Sequence, residues 1–109
     1  SEEYLKKLLD ETGRKNAKVL AVYAEHLSKR EDYENALTAV EEGIDLLDGK
    51  DLNKNEEEVL KSLIFSRGAC YEYMSDYEKA LECFNQYIEK YGETEEVAHE
   101  VAFLKSRLR

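Results

Sequence analysis

The segment Asp-Tyr-Glu-Asn-Ala-Leu at residues 32–37 recurs as Asp-Tyr-Glu-Lys-Ala-Leu at residues 76–81, with five of the six positions identical. Each copy lies at a predicted turn and begins a second helix. Eight residues before each copy stands a small residue, Ala24 in one and Gly68 in the other. A small residue at that place lets a second helix approach closely. The repeated segment therefore predicts two helical hairpins of similar construction.

Apolar residues at three- and four-residue spacing extend this pattern to five or six helices. No segment shows the period-two alternation of a half-buried strand, so the predicted fold class is all-α. The chain contains no proline to interrupt a helix. The predicted helices are about Glu2–Glu11, ended by Thr12 and Gly13; Ala17–Lys29, capped by Asn16; about Tyr33–Leu47; a long helix capped by Asn55 and reaching about Met74; Tyr77–Tyr91, closed by Gly92; and about Glu95–Arg107, capped by Thr94.

The repeated hairpins resemble the tetratricopeptide repeat family. The family pattern is an aromatic residue, Leu-Gly and Tyr on a first helix, then Ala and Phe on a second. The chain differs in the spacing of its copies, 44 residues instead of 34, and in lacking the terminal Pro. Residues that match the pattern are Ile64, Arg67, Gly68, Tyr71, Ala80 and Phe84 in the second copy, and more loosely Leu20, Tyr23, Ala24, Leu27, Ala36 and Val40 in the first. A third start falls at Ala98, Val101 and Ala102.

This resemblance implies antiparallel helical hairpins that stack as a short right-handed superhelix. One domain of 109 residues is expected. Its expected parts are an N-terminal helix at residues 1–13, repeat one at 17–47, repeat two at 54–92 and a C-terminal capping helix at 94–109.

The charge and composition of the chain limit the classes of partner that are expected. The formal net charge of −9 divides into +2 for residues 1–30, −9 for 31–60 and −2 for 61–109. Such a chain repels phosphate backbones, so neither nucleic acid nor an anionic membrane is an expected partner. A protein or peptide, especially a basic one, is favoured electrostatically; the alternative is that the acidic segment is only a solvated face. No apolar run is long enough to span a membrane. The isolated Cys70 and Cys83 fit reduced thiols in a cytoplasmic protein better than a disulfide framework, and a Cys70–Cys83 bridge is the alternative.

The family resemblance also implies a concave groove, lined by the first helix of each hairpin, that receives an extended peptide or a partner helix. Phe65, Tyr73 and Phe103 would be large aromatic groups on a face that the stacking does not need; alternatively, Phe65 packs under the inserted segment and Phe103 seals the end. Ala21, Glu25 and Ser66 stand where some family members clamp a terminal carboxylate, so that activity is not expected. The groove residues implied are Lys18, Ala21, Val22, Glu25, Ser28 and Lys29; Ser62, Phe65, Ser66, Ala69, Glu72 and Tyr73; and His99, Phe103 and Arg107.

No catalytic or metal-binding pattern is found in the sequence. His26 and His99 are 73 residues apart and have no acidic partner at ligand spacing. We therefore expect no enzyme activity and no cofactor, but a non-catalytic protein–protein interaction module. Two alternatives stay open: a structural domain that self-assembles into a homo-oligomer through its end faces, and the peptide-sensing segment of a larger bacterial regulator.

Overall fold

The computed structural model describes residues 2–12 and 16–109, which form six α-helices and no strand. The predicted all-α class is confirmed. Ser1 and Gly13, which the predicted N-terminal segment includes, lie outside the described residues. The helices are α1 (Glu2–Thr12), α2 (Ala17–Lys29), α3 (Tyr33–Leu47), α4 (Lys54–Tyr73), α5 (Tyr77–Tyr91) and α6 (Glu95–Arg107).

Helices that are neighbours in sequence pack against each other from α1 to α6. Helices α2 and α3 form the first hairpin, and α4 and α5 form the second. In addition, α2 packs against α4. The described molecule is 19 Å thick along its shortest axis, which corresponds to two layers of helices. The first helices of the two hairpins therefore lie side by side in one layer.

Both hairpin turns have the same hydrogen-bonded geometry. The Asp32 backbone N–H donates to the Leu27 carbonyl at 2.9 Å, and the Asp76 N–H donates to the Tyr71 carbonyl at 2.9 Å. Glu31 and Ser75 take left-handed backbone angles in these turns, with φ of 62° and 65°. This is the Schellman type of helix ending, in which glycine is the usual left-handed residue. The repeated Asp then caps the following helix by accepting from a backbone N–H three residues later.

The start of α4 differs from the sequence prediction. Asn53, and not Asn55, caps this helix: its side chain accepts from the Glu56 N–H at 2.8 Å, while the Glu56 carboxylate accepts from the Asn53 N–H at 3.0 Å. This reciprocal pair satisfies two N–H groups that the first turn of a helix leaves without partners. Because Leu52 is half-buried against the core, packing places the cap at the next residue. The prediction that Asn55 caps α4 is therefore wrong.

The core lies between the two helical layers, and small residues allow its close packing. Phe84 and Val40 are fully buried. Gly68 lies so close to Phe84 that an added Cβ would be 2.9 Å from the ring Cζ. Helix α1 joins the core mainly through Leu9, which is also fully buried. Packing at Gly68 therefore fixes how closely α4 approaches α5.

Candidate binding groove between α2 and α4

A cavity of about 380 Å³ lies between α2 and α4, where the two hairpins meet. We call it the α2–α4 groove. All but two of its lining residues are among those expected to face the groove; Ala24 and Cys70 are the additions. Its lining comprises Lys18, Ala21, Val22, Ala24, Glu25 and Ser28 from α2, and Ser62, Phe65, Ser66, Ala69, Cys70 and Tyr73 from α4.

The groove has a floor of small side chains and a rim of larger apolar ones. Ala24 and Cys70 are buried at its base. Val22 is 42% exposed and Tyr73 is 69% exposed, which leaves apolar surface open to solvent beside the cavity. Small side chains in a floor create room for a side chain from outside. An apolar cavity bordered by a few polar groups is the usual form of a ligand site.

Phe65 is fixed by the second hairpin itself. Its ring meets the Phe84 ring edge-on at 5.3 Å between centroids and the Tyr87 ring at 6.2 Å. The ring is half-buried and belongs to the packing between α4 and α5. Phe65 is therefore held by packing inside the second hairpin, a contact that the expectation did not include. Phe65 still borders the groove, as a rigid wall.

Tyr73 lies at one end of the groove and packs against the first hairpin. Its ring is parallel to that of Tyr33, with centroids 4.8 Å apart and planes 4° apart. Tyr33 begins α3 and Tyr73 ends α4, so the stack joins the turn ends of the two hairpins. The stack orients Tyr73 while leaving much of its side chain accessible.

Several predicted residues lie outside this groove. Lys29 forms an ion pair with Glu25 at 3.5 Å on the exposed surface of α2. On α6, the His99 side chain is 83% exposed. Phe103 and Arg107 both lie over Tyr77 of α5, at 6.4 Å between ring centroids and 5.4 Å from the guanidinium carbon to the ring centroid. The α6 residues thus surround the start of α5 instead of the α2–α4 groove.

Glu72 faces away from the groove, toward α6. Burial, followed by a hydrogen bond to Glu100 and the charge of that residue, raises the pKa of the Glu72 carboxyl to about 7. The Glu72 Oε1 atom is buried without a hydrogen-bond partner. Because Glu72 and Glu100 are 28 residues apart on two different helices, no local sequence pattern indicated their contact.

A second, shallower hollow of about 330 Å³ continues the surface on the other side of Phe65. We call it the outer furrow. Its acidic residues are Glu58 and Glu96, both exposed. The ammonium group of Lys61 lies 5.9 Å and 5.6 Å from the ring centroids of Tyr87 and Tyr91. The full lining is Glu58, Lys61, Ser62, Phe65, Ser66, Tyr87 and Glu96.

The two cysteines are free thiols. Burial raises the pKa of Cys70 and also that of Cys83, in each case as the largest effect. A thiol with a raised pKa is protonated at neutral pH and is a poor nucleophile or metal ligand. Cys70 therefore serves as an apolar part of the groove floor.

A further cavity, of about 1000 Å³, is an open hollow beside the start of α4. The N-terminal turn of a helix can attract an anion. Here Glu56 already occupies the Asn53 N–H, and Glu58 adds negative charge to the lining. Lys18 and Lys50 line the same hollow and balance these two carboxylates, so the hollow has no excess of positive charge to hold an anion. The α2–α4 groove, with its exposed apolar rim, is the better candidate site.

Among residues 2–12 and 16–109, no three His, Cys, Asp or Glu side chains are grouped so as to hold a metal ion. In the same ranges, no helix has both the length and the apolar character needed to cross a membrane. What the groove offers a ligand is shape, exposed apolar surface, serine hydroxyls and the opposite charges of Lys18 and Glu25.

Comparison with known proteins does not assign the chain to a family. No family model matches the chain, and no curated protein is significantly similar to it. The resemblance to the tetratricopeptide repeat family therefore stays a prediction from the residues.

Proposed function

We propose that this chain is a non-catalytic interaction module that binds a peptide segment of a partner protein in the α2–α4 groove. The observation that carries the proposal is the apolar cavity with its exposed rim, Val22 and Tyr73, at the junction of two helical hairpins. Preformed walls favour binding because little conformational freedom is lost when the ligand arrives. The stacked Tyr73 and the packed Phe65 are walls of this kind.

The partner segment carries a large apolar side chain flanked by Lys or Arg. The apolar side chain would occupy the cavity above Ala69, whose own side chain is small. Basic side chains would lie toward Glu25 at the groove and toward Glu58 and Glu96 along the outer furrow. The net charge of −9 favours the approach of such a segment over long distances. Neither hollow calls for a bound cofactor.

A phage-displayed library of random peptides, selected on the immobilised protein, tests this proposal. Enriched peptides are synthesised with a fluorescent label, and their affinities are measured by fluorescence anisotropy. Ala69→Leu should fill the cavity and weaken binding at least tenfold. Ala102→Leu is the matched control, because Ala102 is exposed on α6 away from the groove, and it should bind as the original protein does.

Circular dichroism of each variant separates lost binding from lost folding. Val22→Ser and Tyr73→Ser remove rim surface without emptying the core and should also weaken binding. Phe65→Ala is less informative, because Phe65 supports Phe84 and Tyr87. Equal affinity for the Ala69→Leu and Ala102→Leu proteins would remove the groove assignment.

Self-assembly is the second candidate function, and one feature of α6 favours it. Phe103 of α6 and Leu108, which caps the end of α6, are 42% and 41% exposed, and within the described residues the backbone of α6 packs only against α5. Multi-angle light scattering measures whether the protein self-assembles or is a monomer. A dimer that Phe103→Ser and Leu108→Ser convert to a monomer would support self-assembly, whereas a monomer at high concentration would exclude it.

A further inference from the structure

Three aromatic rings meet beside the outer furrow, and we call them the aromatic corner. The Tyr87 and Tyr91 ring centroids are 5.3 Å apart, and the two ring planes are inclined at 59°. Phe65 is the third member, with its ring centroid 6.2 Å from that of Tyr87 and its plane inclined at 75°. Because Phe65 and Tyr87 both line the furrow, the corner is reached from outside the protein.

The corner is held in shape by its neighbours. Tyr87 is buried. The Tyr91 hydroxyl donates a hydrogen bond to the Glu57 Oε1 atom at 3.3 Å, and the Lys90 ammonium lies 3.9 Å from the same oxygen. Since its walls are already oriented, little conformational freedom is lost when a ligand enters the corner.

The protein already places a cation of its own at this corner. The Lys61 ammonium lies 5.9 Å from the Tyr87 ring centroid and 5.6 Å from that of Tyr91. Both distances are within the range of about 6 Å in which the face of an aromatic ring attracts a positive charge. Lys61 therefore marks a position that is favourable for a cation.

The charges around the corner would favour a cation from outside if Lys61 moved away. The other charged residues in the furrow lining are Glu58 of α4 and Glu96 of α6, both exposed. Lys61 has a second place to go, because Glu57 stands four residues before it on the same helix. Glu and Lys at this spacing and in this order form a favourable pair on a helix surface.

We propose that the aromatic corner binds an arginine side chain of the partner segment, and that Lys61 occupies the site until this arginine displaces it. A guanidinium group is planar, stacks on aromatic rings and is more weakly hydrated than an ammonium group. It also forms paired hydrogen bonds with a carboxylate, such as those of Glu58 and Glu96 at the rim. A partner lysine would only replace Lys61 by an identical group.

The corner therefore selects arginine over lysine, a choice that the α2–α4 groove leaves open. This inference rests on the proposed function for the origin of the arginine, which belongs to the segment bound in the groove. The corner itself lies on the other side of Phe65 and is formed without that segment.

Two small probes of equal charge, N-acetylarginine amide and N-acetyllysine amide, test the site. Each is titrated into protein labelled with ¹³C at the tyrosine Cζ atoms, and the Tyr87 and Tyr91 signals are followed by NMR. The arginine probe should shift both signals and bind about threefold more tightly than the lysine probe. Lys61→Ala removes the competing ammonium and should tighten binding of the arginine probe about threefold.

Lys79→Ala is the matched control, because the Lys79 ammonium lies 5.6 Å from the ring centroid of Tyr71, which is outside the furrow lining. It should leave the affinity for the arginine probe unchanged. Tyr91→Leu removes one ring and should weaken binding of that probe about threefold, with circular dichroism confirming that the helices remain.

Ala69→Leu separates this site from the groove: it should weaken the binding of selected peptides and leave the arginine probe unaffected. The corner can therefore fail while the groove assignment holds, and the reverse is also possible. The proposal is overturned if the arginine probe does not shift the Tyr87 and Tyr91 signals, if the two probes bind equally, or if Lys61→Ala and Lys79→Ala have the same effect.

Discussion

The Phe84 ring occupies the space that a side chain on Gly68 would need, since an added Cβ would lie 2.9 Å from its Cζ atom and 3.0 Å from its Cε2 atom. A third neighbour, the Cys83 Cβ atom, would be 3.2 Å away. Phe84 is fully buried and its ring is rigid, so relief of this contact would require the whole ring or the backbone to shift. The spacing between α4 and α5 is therefore set by the absence of a side chain at residue 68.

Gly68→Ala should lower the free energy of unfolding. Overpacking in a core costs about 1–3 kcal/mol, which exceeds the gain of about 1 kcal/mol from replacing a helical glycine by alanine. Gly43→Ala is the matched control: its added Cβ would also lie 2.9 Å from a neighbour, but that neighbour is the Cδ1 methyl at the end of the flexible Leu63 side chain, which can shift at a lower cost than the rigid Phe84 ring. Urea unfolding should show a larger loss for Gly68→Ala. A stabilised Gly68→Ala protein would contradict the close packing.

Replacing Asn53 should weaken the start of α4. Asn53→Ala removes the acceptor for the Glu56 N–H and should cost about 1 kcal/mol of stability. Asn55→Ala should leave stability nearly unchanged, because Asn55 is an exposed residue inside the helix and alanine is the better helix former. Thermal unfolding measured by circular dichroism compares the two proteins. An equal loss in both would show that the cap is not at Asn53.

A glycine at the first hairpin turn should stabilise the protein. Glu31 has a φ of 62°, a left-handed conformation that costs most residues about 1 kcal/mol or more. Glu31→Gly should therefore raise the free energy of unfolding by about 1 kcal/mol. The same substitution at Glu34, in the first turn of α3, should lower it instead. The two variants should shift the midpoint of urea unfolding in opposite directions, and a shift in the same direction would contradict the turn geometry.

Tyr91 should titrate at unusually high pH. Burial, followed by the charge of and a hydrogen bond to Glu57, raises the pKa of Tyr91 to about 12. The protonated phenol therefore contributes stability below pH 10, and this contribution is lost as the pH rises toward 12. Glu57→Gln removes the neighbouring negative charge and should lower the pKa of Tyr91 part of the way, because burial remains.

NMR of protein labelled with ¹³C at the tyrosine Cζ atoms resolves this titration. Glu89→Gln, which removes an exposed carboxylate from α5, serves as the control and should not change the Tyr91 titration. If Glu57→Gln left the titration of Tyr91 unchanged, the contact between α4 and α5 at this point would be wrong.

The start of a helix was predictable from the sequence wherever only one candidate capping residue preceded it. Asn16, Asp32, Asp76 and Thr94 each precede an amphipathic run, and each caps a helix in the structure. The start of α4 was ambiguous because Asn53 and Asn55 are each followed by Glu three residues later. Local chemistry allows either cap, and only the packing of Leu52 against the core decides between them.

The residues expected to face a groove came from the family resemblance, and most of those on α2 and α4 line the cavity between these helices, but the contacts of the aromatic residues were not predictable. Residues on one face of α2 and one face of α4 must meet if the hairpins lie side by side. The contact of Phe65 with Phe84 and Tyr87 depends on how α5 crosses α4, which spacing along the chain does not specify. The same reason applies to Glu72 and Glu100, whose meeting depends on where α6 crosses.

The ten additional residues between the two copies of the repeated segment are accommodated in the loop at residues 48–53 and the first turns of α4. This loop is at the end of the hairpins opposite to the stacked Tyr33 and Tyr73. Gly49 in the loop has a φ of 70° and open space around it. A fluorescent reporter could therefore be inserted after Gly49 with little disturbance of the helices, since exposed loop tips tolerate insertions well. The chain thus offers an attachment point for a sensor at the end of the hairpins opposite to Tyr73, which borders the proposed groove.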